Sequence, residues 1–493
     1  MRIPLDRASD IPLYQQIKNH FREGILSGSL APDTRLPASR KLAHDLGVNR
    51  ITVETAYSEL EADGLIYSRV GSGTYVLSPQ TLSPHPKDDF ETAWPYWQQN
   101  IQIGDLASSE AEIVIESLKA DRHPHLISFA GGSSAPHMFP VDDFRKVLQT
   151  VIRRDGMAAL DYGESSGYAP LRTTIAHVLA SQGLQAQPDN ILITAGSQQA
   201  LSLVSQLLLK PGDTILVESP TYGGALDLFR ALSFDVVGIS MDAQGMRVEG
   251  LEKLLQQYHP KLIYTIPNFH NPTGTCLSSS RRREMLLLAD RYNVPILEDD
   301  FVGDLRYDGR TQPSLKALDP GGRVIYASTF SKMLMPGLRV GFLLIEGPVY
   351  ESLVQFKHVN DLATSSLLQR ALEAYVTVGR YQAHLRKSCQ IFRRRRDAMV
   401  AAVKKYLPAE TQFEIPQGGL FFWLKLPDNL SSNNLLPLAL RQGVDFVPGG
   451  KFFSDSSQGL SWMRLNFVVR PPDEIEEGIK RLGQAIEEII RNR

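Results

Sequence analysis

From about residue 126 to residue 330 the chain alternates short aliphatic and β-branched runs with helical stretches, and nothing else in it constrains the fold as tightly. Ile191-Leu192-Ile193-Thr194, Thr214-Ile215-Leu216-Val217, Leu262-Ile263-Tyr264-Thr265, Pro295-Ile296-Leu297 and Arg323-Val324-Ile325-Tyr326 have little of the polar alternation of a half-exposed strand. Runs of this kind read as strands buried on both faces, and helices between them read as crossovers. The expectation is a large α/β domain with a mostly parallel sheet. Beyond it, a long helix is expected over 382–406, then a smaller α+β region with strands at 420–424 and 462–469.

A chain of 493 residues has room for about two to four domains. Its net charge of −2 calls for neither nucleic acid nor membrane, so any DNA site must be a local patch. Two cysteines, Cys276 and Cys389, fit a reducing compartment and no metal-ligand spacing. The N-terminus lacks the apolar run of a signal peptide, and no uncharged run approaches transmembrane length. The expected location is the cytoplasm.

Residues 1–77 read as a unit of their own. Pro12 opens a helical pattern through Leu13, Ile17, Phe21 and Ile25 that stops at Gly28. A short helix from Ser39 ends at Leu46-Gly47, and a Gly-containing turn leads to a third helix from Arg50 to Leu60. Helix, Gly turn, helix is the helix-turn-helix layout. The last helix should bury Val53, Ala56, Tyr57 and Leu60 and offer Arg50 and Thr52 at its start, where base edges are read. Residues 65–70 and 74–76, joined by Gly71-Ser72-Gly73, form a hairpin, or wing. The unit carries nine Lys/Arg against nine Asp/Glu. Arg35, Arg40, Lys41, Arg50 and Arg69 are expected around the turn and wing, with Glu54, Glu59, Glu61 and Asp63 on the far side.

Residues 78–125 read as a linker, kept extended by Ser78-Pro79, Ser83-Pro84 and His85-Pro86. Ser109-x-x-Glu112 is a capping box for one short helix there, and Trp94 and Trp97 are expected to dock on a larger body. The remaining boundaries are a large domain over 126–370 and a small subdomain over 371–493. The run Arg393–Arg396 in the long helix is expected to face solvent.

Chemistry gathers in six stretches. Thr194-Ala195-Gly196-Ser197-Gln198 ends a strand and starts a helix, an anion site or simply an unliganded helix cap. Ser219-Pro220-Thr221-Tyr222-Gly223 places a ring at a strand end, to stack on a heteroaromatic group or to pack in the core. Asn268-Phe269-His270-Asn271-Pro272 is a tight turn carrying a neutral donor. Glu298-Asp299-Asp300 closes a strand; one buried carboxylate there can keep a pyridine nitrogen protonated. No neighbouring histidine favours a metal. Ser328-Thr329-Phe330-Ser331-Lys332, with Arg339 seven positions on, combines an amine, hydroxyls and a guanidinium suited to a Schiff base beside a phosphate. Arg464 stands alone in the apolar run 462–467 and needs an anion partner.

The N-terminal unit resembles the winged helix of GntR-type bacterial regulators, through Pro12 to Ile17, the Arg35-Leu36-Pro37-x-Ser39-Arg40 segment and the 46–57 stretch Leu-Gly-Val-x-Arg-x-Thr-Val-x-x-Ala-Tyr. That resemblance implies DNA contacts by Arg35, Arg40, Arg50, Thr52 and the wing, Gly71, Ser72 and Gly73. Residues 126–493 resemble fold type I pyridoxal-phosphate enzymes of the aspartate aminotransferase superfamily. This implies pyridoxal 5′-phosphate as cofactor, held as an aldimine on the catalytic lysine, Lys332. It assigns Asp299 to the pyridine nitrogen, Asn271 to the phenolic oxygen and Tyr222 to the ring face. Gly196, Ser197, Gln198, Thr329, Ser331 and Arg339 hold the phosphate. Tyr162 of Tyr162-x-x-x-x-Gly167 would reach the phosphate of a partner subunit, implying a homodimer, and Arg464 would bind an effector carboxylate. Where the superfamily usually has a tyrosine after the paired acids, this chain has Phe301, which puts efficient transamination in doubt. The two parts together resemble the MocR subfamily of GntR-type regulators. That implies a regulator of operator DNA that senses an amine, an amino acid or vitamin B6, with little or no turnover. An active aminotransferase with an appended DNA-binding domain is the alternative.

Overall fold

The computed structural model describes residues 3–7, 9, 11–69, 73–77, 125–332 and 334–491. The expected linker helix at Ser109–Glu112, Trp94, Trp97, and the wing residues Gly71 and Ser72 lie outside them. The chain divides into two compact units, Met1–Ile101 and Gln102–Arg493.

In the first unit α1 (Leu13–Leu26), α2 (Ser39–Leu46) and α3 (Arg50–Ala62) precede a hairpin of β1 (Ile66–Arg69) and β2 (Gly73–Val76). Gly47 ends α2 in the left-handed region, φ 62°, a conformation glycine adopts without a Cβ penalty. Two residues on, Asn49 caps α3 by accepting from the Ile51 amide at 3.1 Å. Ile17 and Phe21 of α1 and Val53, Ala56 and Leu60 of α3 are wholly buried together, while the Tyr57 hydroxyl donates to the Pro37 carbonyl.

In the second unit β3 (Ile127–Ser128) comes before a sheet of eight strands, which lie side by side in the order 191–194, 341–344, 324–329, 296–299, 262–265, 214–219, 235–242, 245–246. These are β4 (Ile191–Thr194), β5 (Thr214–Ser219), β6 (Asp235–Asp242), β7 (Gly245–Met246), β8 (Leu262–Thr265), β9 (Ile296–Asp299), β10 (Val324–Thr329) and β11 (Gly341–Leu344). The five central partners β6, β5, β8, β9 and β10 run parallel, as the sequence pattern requires. β11 is antiparallel to both β10 and β4. Every residue of β4, β8, β9 and β11 is buried, because helices cover both faces.

The second, four-stranded sheet is antiparallel, in the order 412–413, 421–425, 462–466, 447–448. The helices Arg380–Tyr406 and Pro472–Arg491 pack together beside it, the latter burying Ile475, Ile479, Leu482 and Ile486 along one stripe. Residues 127–128 pair in parallel with 444–445, so the N-terminal edge of this unit is fastened to its C-terminal part.

Two charge assignments change. Arg395 and Arg396 are buried rather than solvent-facing; only Arg393 and Arg394 are exposed. Arg395 donates to the Val468 carbonyl, and Arg396 bonds Asp308 and the Pro416 carbonyl. Glu54 does not fall on the far side of the recognition helix. It accepts from Arg50 Nε at 2.6 Å and from Ser39 Oγ at 3.3 Å, one helical turn along the same face.

Candidate functional site

The C-terminal ends of the parallel strands open onto a cavity of about 60 Å³. Lys332, Asp299, Asn271, Tyr222, Ser197 and Arg464 all line it, although they come from six separate stretches. This is where ligands gather in open α/β sheets.

Asp299 ends β9, fully covered. Its Oδ2 accepts from the Tyr264 hydroxyl at 2.9 Å, and its Oδ1 has no hydrogen-bond partner among the described residues. Burial lifts its pKa to about 7, while Tyr264 and the Lys332 charge pull the other way. The neighbouring acids turn elsewhere. Glu298 accepts from the Leu315 and Lys316 amides, both at 2.8 Å, and Asp300 accepts from the Tyr326 hydroxyl at 2.9 Å. Three consecutive carboxylates therefore do not converge, and Asp299 alone faces the cavity.

Lys332 follows β10. Thr329 Oγ1 donates to the Val340 carbonyl and accepts from the Ser331 amide, each at 3.1 Å, so this hydroxyl shapes the turn and has no proton to offer a phosphate. Ser331 Oγ is buried with no hydrogen-bond partner among the described residues. The Gly132 backbone passes the amine; a Cβ there would lie 3.6 Å from Lys332 Nζ.

Gly196 precedes the helix Ser197–Leu208 at φ 101°. A Cβ on it would come within 2.7 Å of an Arg339 guanidinium nitrogen, so only glycine lets that cation lie against the helix start. Arg339 Nη2 itself donates to the Ala195 carbonyl at 2.8 Å. Gln198 spends its side chain on the Gly224 carbonyl and on Tyr222 Oη, which orients the tyrosine and leaves only the Gln198 backbone N–H for an anion.

Asn271 sits in a loop braced by Arg282. That wholly buried guanidinium donates to Pro267 O, Asn268 Oδ1 and Leu277 O at 2.8 to 2.9 Å. Arg464 is 1 % exposed, with Nη1 3.0 Å from Asn271 Oδ1 and Nη2 3.1 Å from Ala130 O. It lies over the rings of Phe421 and Phe452 at 4.3 and 4.9 Å. Phe301 stacks on Phe421 with centroids 6.4 Å apart and adds a bare edge to the cavity. Tyr162 is 83 % exposed and is not brought to this cavity.

Sequence reasoning missed Ala130, Gly132, Ile266 and Phe421 as lining residues. The Gly131-Gly132 pair straight after a buried run was the available signal for the first two. Phe421 carried none, since an aromatic in an apolar strand is ordinary.

Pyridoxal phosphate suits these residues. A half-satisfied buried acid, an amine, a flat phenol, and a glycine-started helix with a guanidinium and an unpartnered buried hydroxyl match its ring nitrogen, aldehyde, ring face and phosphate.

In the first unit Arg35, Arg40 and Arg50 are exposed and Thr52 half-buried. Arg35 lies against the base of the wing, where a Cβ on Gly73 would be 2.8 Å from its Nε. Arg69 lies over the Tyr67 ring at 5.3 Å.

The model for bacterial regulatory proteins of the gntR family matches residues 13–76, and that for aminotransferase class I and II matches residues 133–482. The uncharacterized HTH-type transcriptional regulator YdfD of Bacillus subtilis is 32 % identical, over 97 % of this chain and 97 % of its own. The probable rhizopine catabolism regulatory protein MocR of Rhizobium meliloti is 30 % identical, covering 98 % of this chain and 95 % of its own. The crystal structure of Pyrococcus horikoshii kynurenine aminotransferase superposes with a TM-score of 0.74 at 36 % identity, over 80 % of this chain and 97 % of that one. This chain belongs to the MocR subfamily of GntR-type regulators, in which a helix-turn-helix domain precedes a pyridoxal-phosphate-dependent aminotransferase class I and II body.

Proposed function

We propose that this protein is a transcriptional regulator that detects a small amine, best an amino acid, at pyridoxal phosphate held by Lys332. The observation that carries the reading is the single cavity where Lys332, Asp299 and Arg464 meet, in a chain that also carries a winged helix. Bound pyridoxal phosphate supplies an electrophilic carbon that condenses with amines and a ring that withdraws electrons. Asp299 keeps a proton at the ring nitrogen, Asn271 donates to the ring oxygen, and Tyr222 covers the ring face. Ser197, Ser331, Arg339 and the backbone N–H groups of 196–198 take the phosphate. Lys332 is the amine that would hold the cofactor, and Arg464 would take the carboxylate of an effector.

Operator DNA is engaged by Arg35, Arg40, Arg50 and Thr52, with Glu54 setting the Arg50 guanidinium at 2.6 Å. An effector shifts DNA binding only through its unequal affinity for the two states of the protein. A homodimer accounts for the exposed apolar residues Met157, Leu160, Tyr162, Val359 and Leu362. They gather on two adjoining segments, joined where Ser165 Oγ meets His358 and the Leu362 carbonyl.

The test is a screen of amines and amino acids against the cofactor-loaded protein, following the visible absorbance of the cofactor and binding to DNA selected from a random library. Some carboxylate-bearing amine should change both. If pyridoxal phosphate alone sets DNA affinity and no amine alters it, the vitamin is the signal. A Lys332→Ala protein that retains a wild-type borohydride-reducible adduct removes Lys332 from its role.

A further inference from the structure

Away from the cofactor cavity, a second cleft of about 480 Å³ runs along the first half of the helix Arg380–Tyr406. That helix turns Arg380, His384, Lys387 and Arg395 toward it from one face. The opposite wall carries His137, and Asp143 is the acid among the lining residues.

Among the described residues Arg380, Lys387 and Arg395 are poorly compensated. Arg395 is 5 % exposed, and burial pulls the pKa of its guanidinium down. Its contacts among the described residues are neutral: Nη1 donates to the Val468 carbonyl and lies 3.4 Å from Met138 Sδ, and Nη2 is 3.5 Å from His137 Nε2. Its buried Nε has no hydrogen-bond partner among the described residues. The acid whose field it feels, Glu474, is paired with Arg470 at 3.5 Å. Arg380 and Lys387, nearer the mouth, form no ion pair with any described carboxylate. A buried cation held only by neutral acceptors is costly, and an anion in the cleft offsets that cost.

Spacing narrows the ligand. At 1.5 Å per residue Arg380 and Lys387 stand about 10 Å apart along the axis, and Lys387 and Arg395 about 12 Å. Cations distributed over intervals of this length suit a ligand with more than one anionic group better than a single inorganic ion. Tyr375, Phe139 and Ile391 supply apolar wall between the charges. We propose that this cleft binds a small, elongated organic polyanion, whose phosphate or carboxylate groups are separated by a less polar middle.

Isothermal titration of the cofactor-loaded, full-length protein at constant ionic strength tests this, with fructose 1,6-bisphosphate, azelate and inorganic phosphate as probes. At least one of the two organic polyanions should bind with a Kd below about 1 mM, and inorganic phosphate at least about tenfold more weakly. The bisphosphate and dicarboxylate arms show which anionic group is preferred. Arg380→Glu and Lys387→Glu should each weaken binding about tenfold or more, with the cofactor absorbance unchanged. Three results overturn the proposal: neither organic polyanion binding with a Kd below about 1 mM, binding that survives both charge reversals, or inorganic phosphate binding as well as the organic polyanions. A short DNA duplex that competes with the organic polyanion for the cleft, in a manner lost on Lys387→Glu, also overturns it by making this a nucleic-acid surface.

Discussion

Arg464 shows how much one side chain's surroundings decide. Its strand is apolar, yet the guanidinium is built in by the Asn271 and Ala130 oxygens and two aromatic faces, at the edge of the cavity that holds Lys332. A carboxylate arriving there meets a cation already oriented and shielded from water. Removing one member of such a pair costs ~2–5 kcal/mol, roughly 30-fold to several thousand-fold in affinity. Arg464→Ala should therefore keep the cofactor and basal DNA binding, and lose response to amino acids while amines without a carboxylate lose little. Superimposable titrations for every carboxylate-bearing amine would make Arg464 structural. Phe301 is the complementary case, a ring edge where a hydroxyl is absent. Phe301→Tyr should raise any slow transfer of an amino group to a keto acid, measured as single-turnover decay of the cofactor band. Wild-type turnover in the ordinary enzyme range of roughly 1–10³ s⁻¹ points instead to a working aminotransferase.

Among the elements, the helix Arg380–Tyr406 is fastened to the segment after β9 through a half-buried carboxyl. Asp304 accepts from the Tyr381 hydroxyl at 2.7 Å and from the Gln182 amide. Burial raises its pKa from 3.8 to about 6, outweighing the Tyr381 hydrogen bond. Because the folded value lies above the unfolded one, the folded state holds the extra proton between them. Stability from this group is complete below about pH 4 and is lost as the pH rises through about 6. The elevation corresponds to roughly 3 kcal/mol. Urea unfolding between pH 4.5 and 7.5 should show Asp304→Asn with a flatter pH dependence than wild type, the difference closing toward low pH. Parallel curves would show that Asp304 ionises in the folded protein as it does unfolded. Elements also differed in how legible they were. β4 and β8 were read residue for residue because both faces are buried and nothing interrupts them. β6 was not: it lies near the sheet edge beside the two-residue β7, is mostly half-exposed, and has Gly238 at its centre. Its apolar pattern is correspondingly weak.

At the scale of the whole molecule, assembly is the open variable. Leu160, 69 % exposed, lies two residues before Tyr162 on the apolar surface assigned to a second copy. Leu160→Asp should shift the protein toward monomer in analytical ultracentrifugation and, on the proposal that Tyr162 reaches a partner's phosphate, weaken cofactor retention. A variant that stays dimeric with full cofactor occupancy moves the interface elsewhere. No helix among the described residues is long and apolar enough to cross a membrane.

The sequence alone determined the parts whose physics is local. Hydrophobic period distinguished buried strands from helices, Gly47 marked the turn of the helix-turn-helix, and several of the residues proposed for the cofactor, among them Asp299, Gly196 and Ser197, stand at a strand end or helix start. What it could not decide is which charged side chains go inside. The Arg393–Arg396 run looked like a solvated face, yet Arg395 is buried against Val468, 73 residues away, and Arg396 against Asp308, 88 residues away. Likewise Thr329 and Ser331 looked alike beside Lys332. Only the Val340 carbonyl, brought alongside by antiparallel β11, takes the Thr329 proton while Ser331 Oγ is left without a partner among the described residues. Local pattern sets secondary structure because its energies are local. The partners of a buried polar group are set by chain segments far apart in sequence, so their identity exists only once the fold has formed.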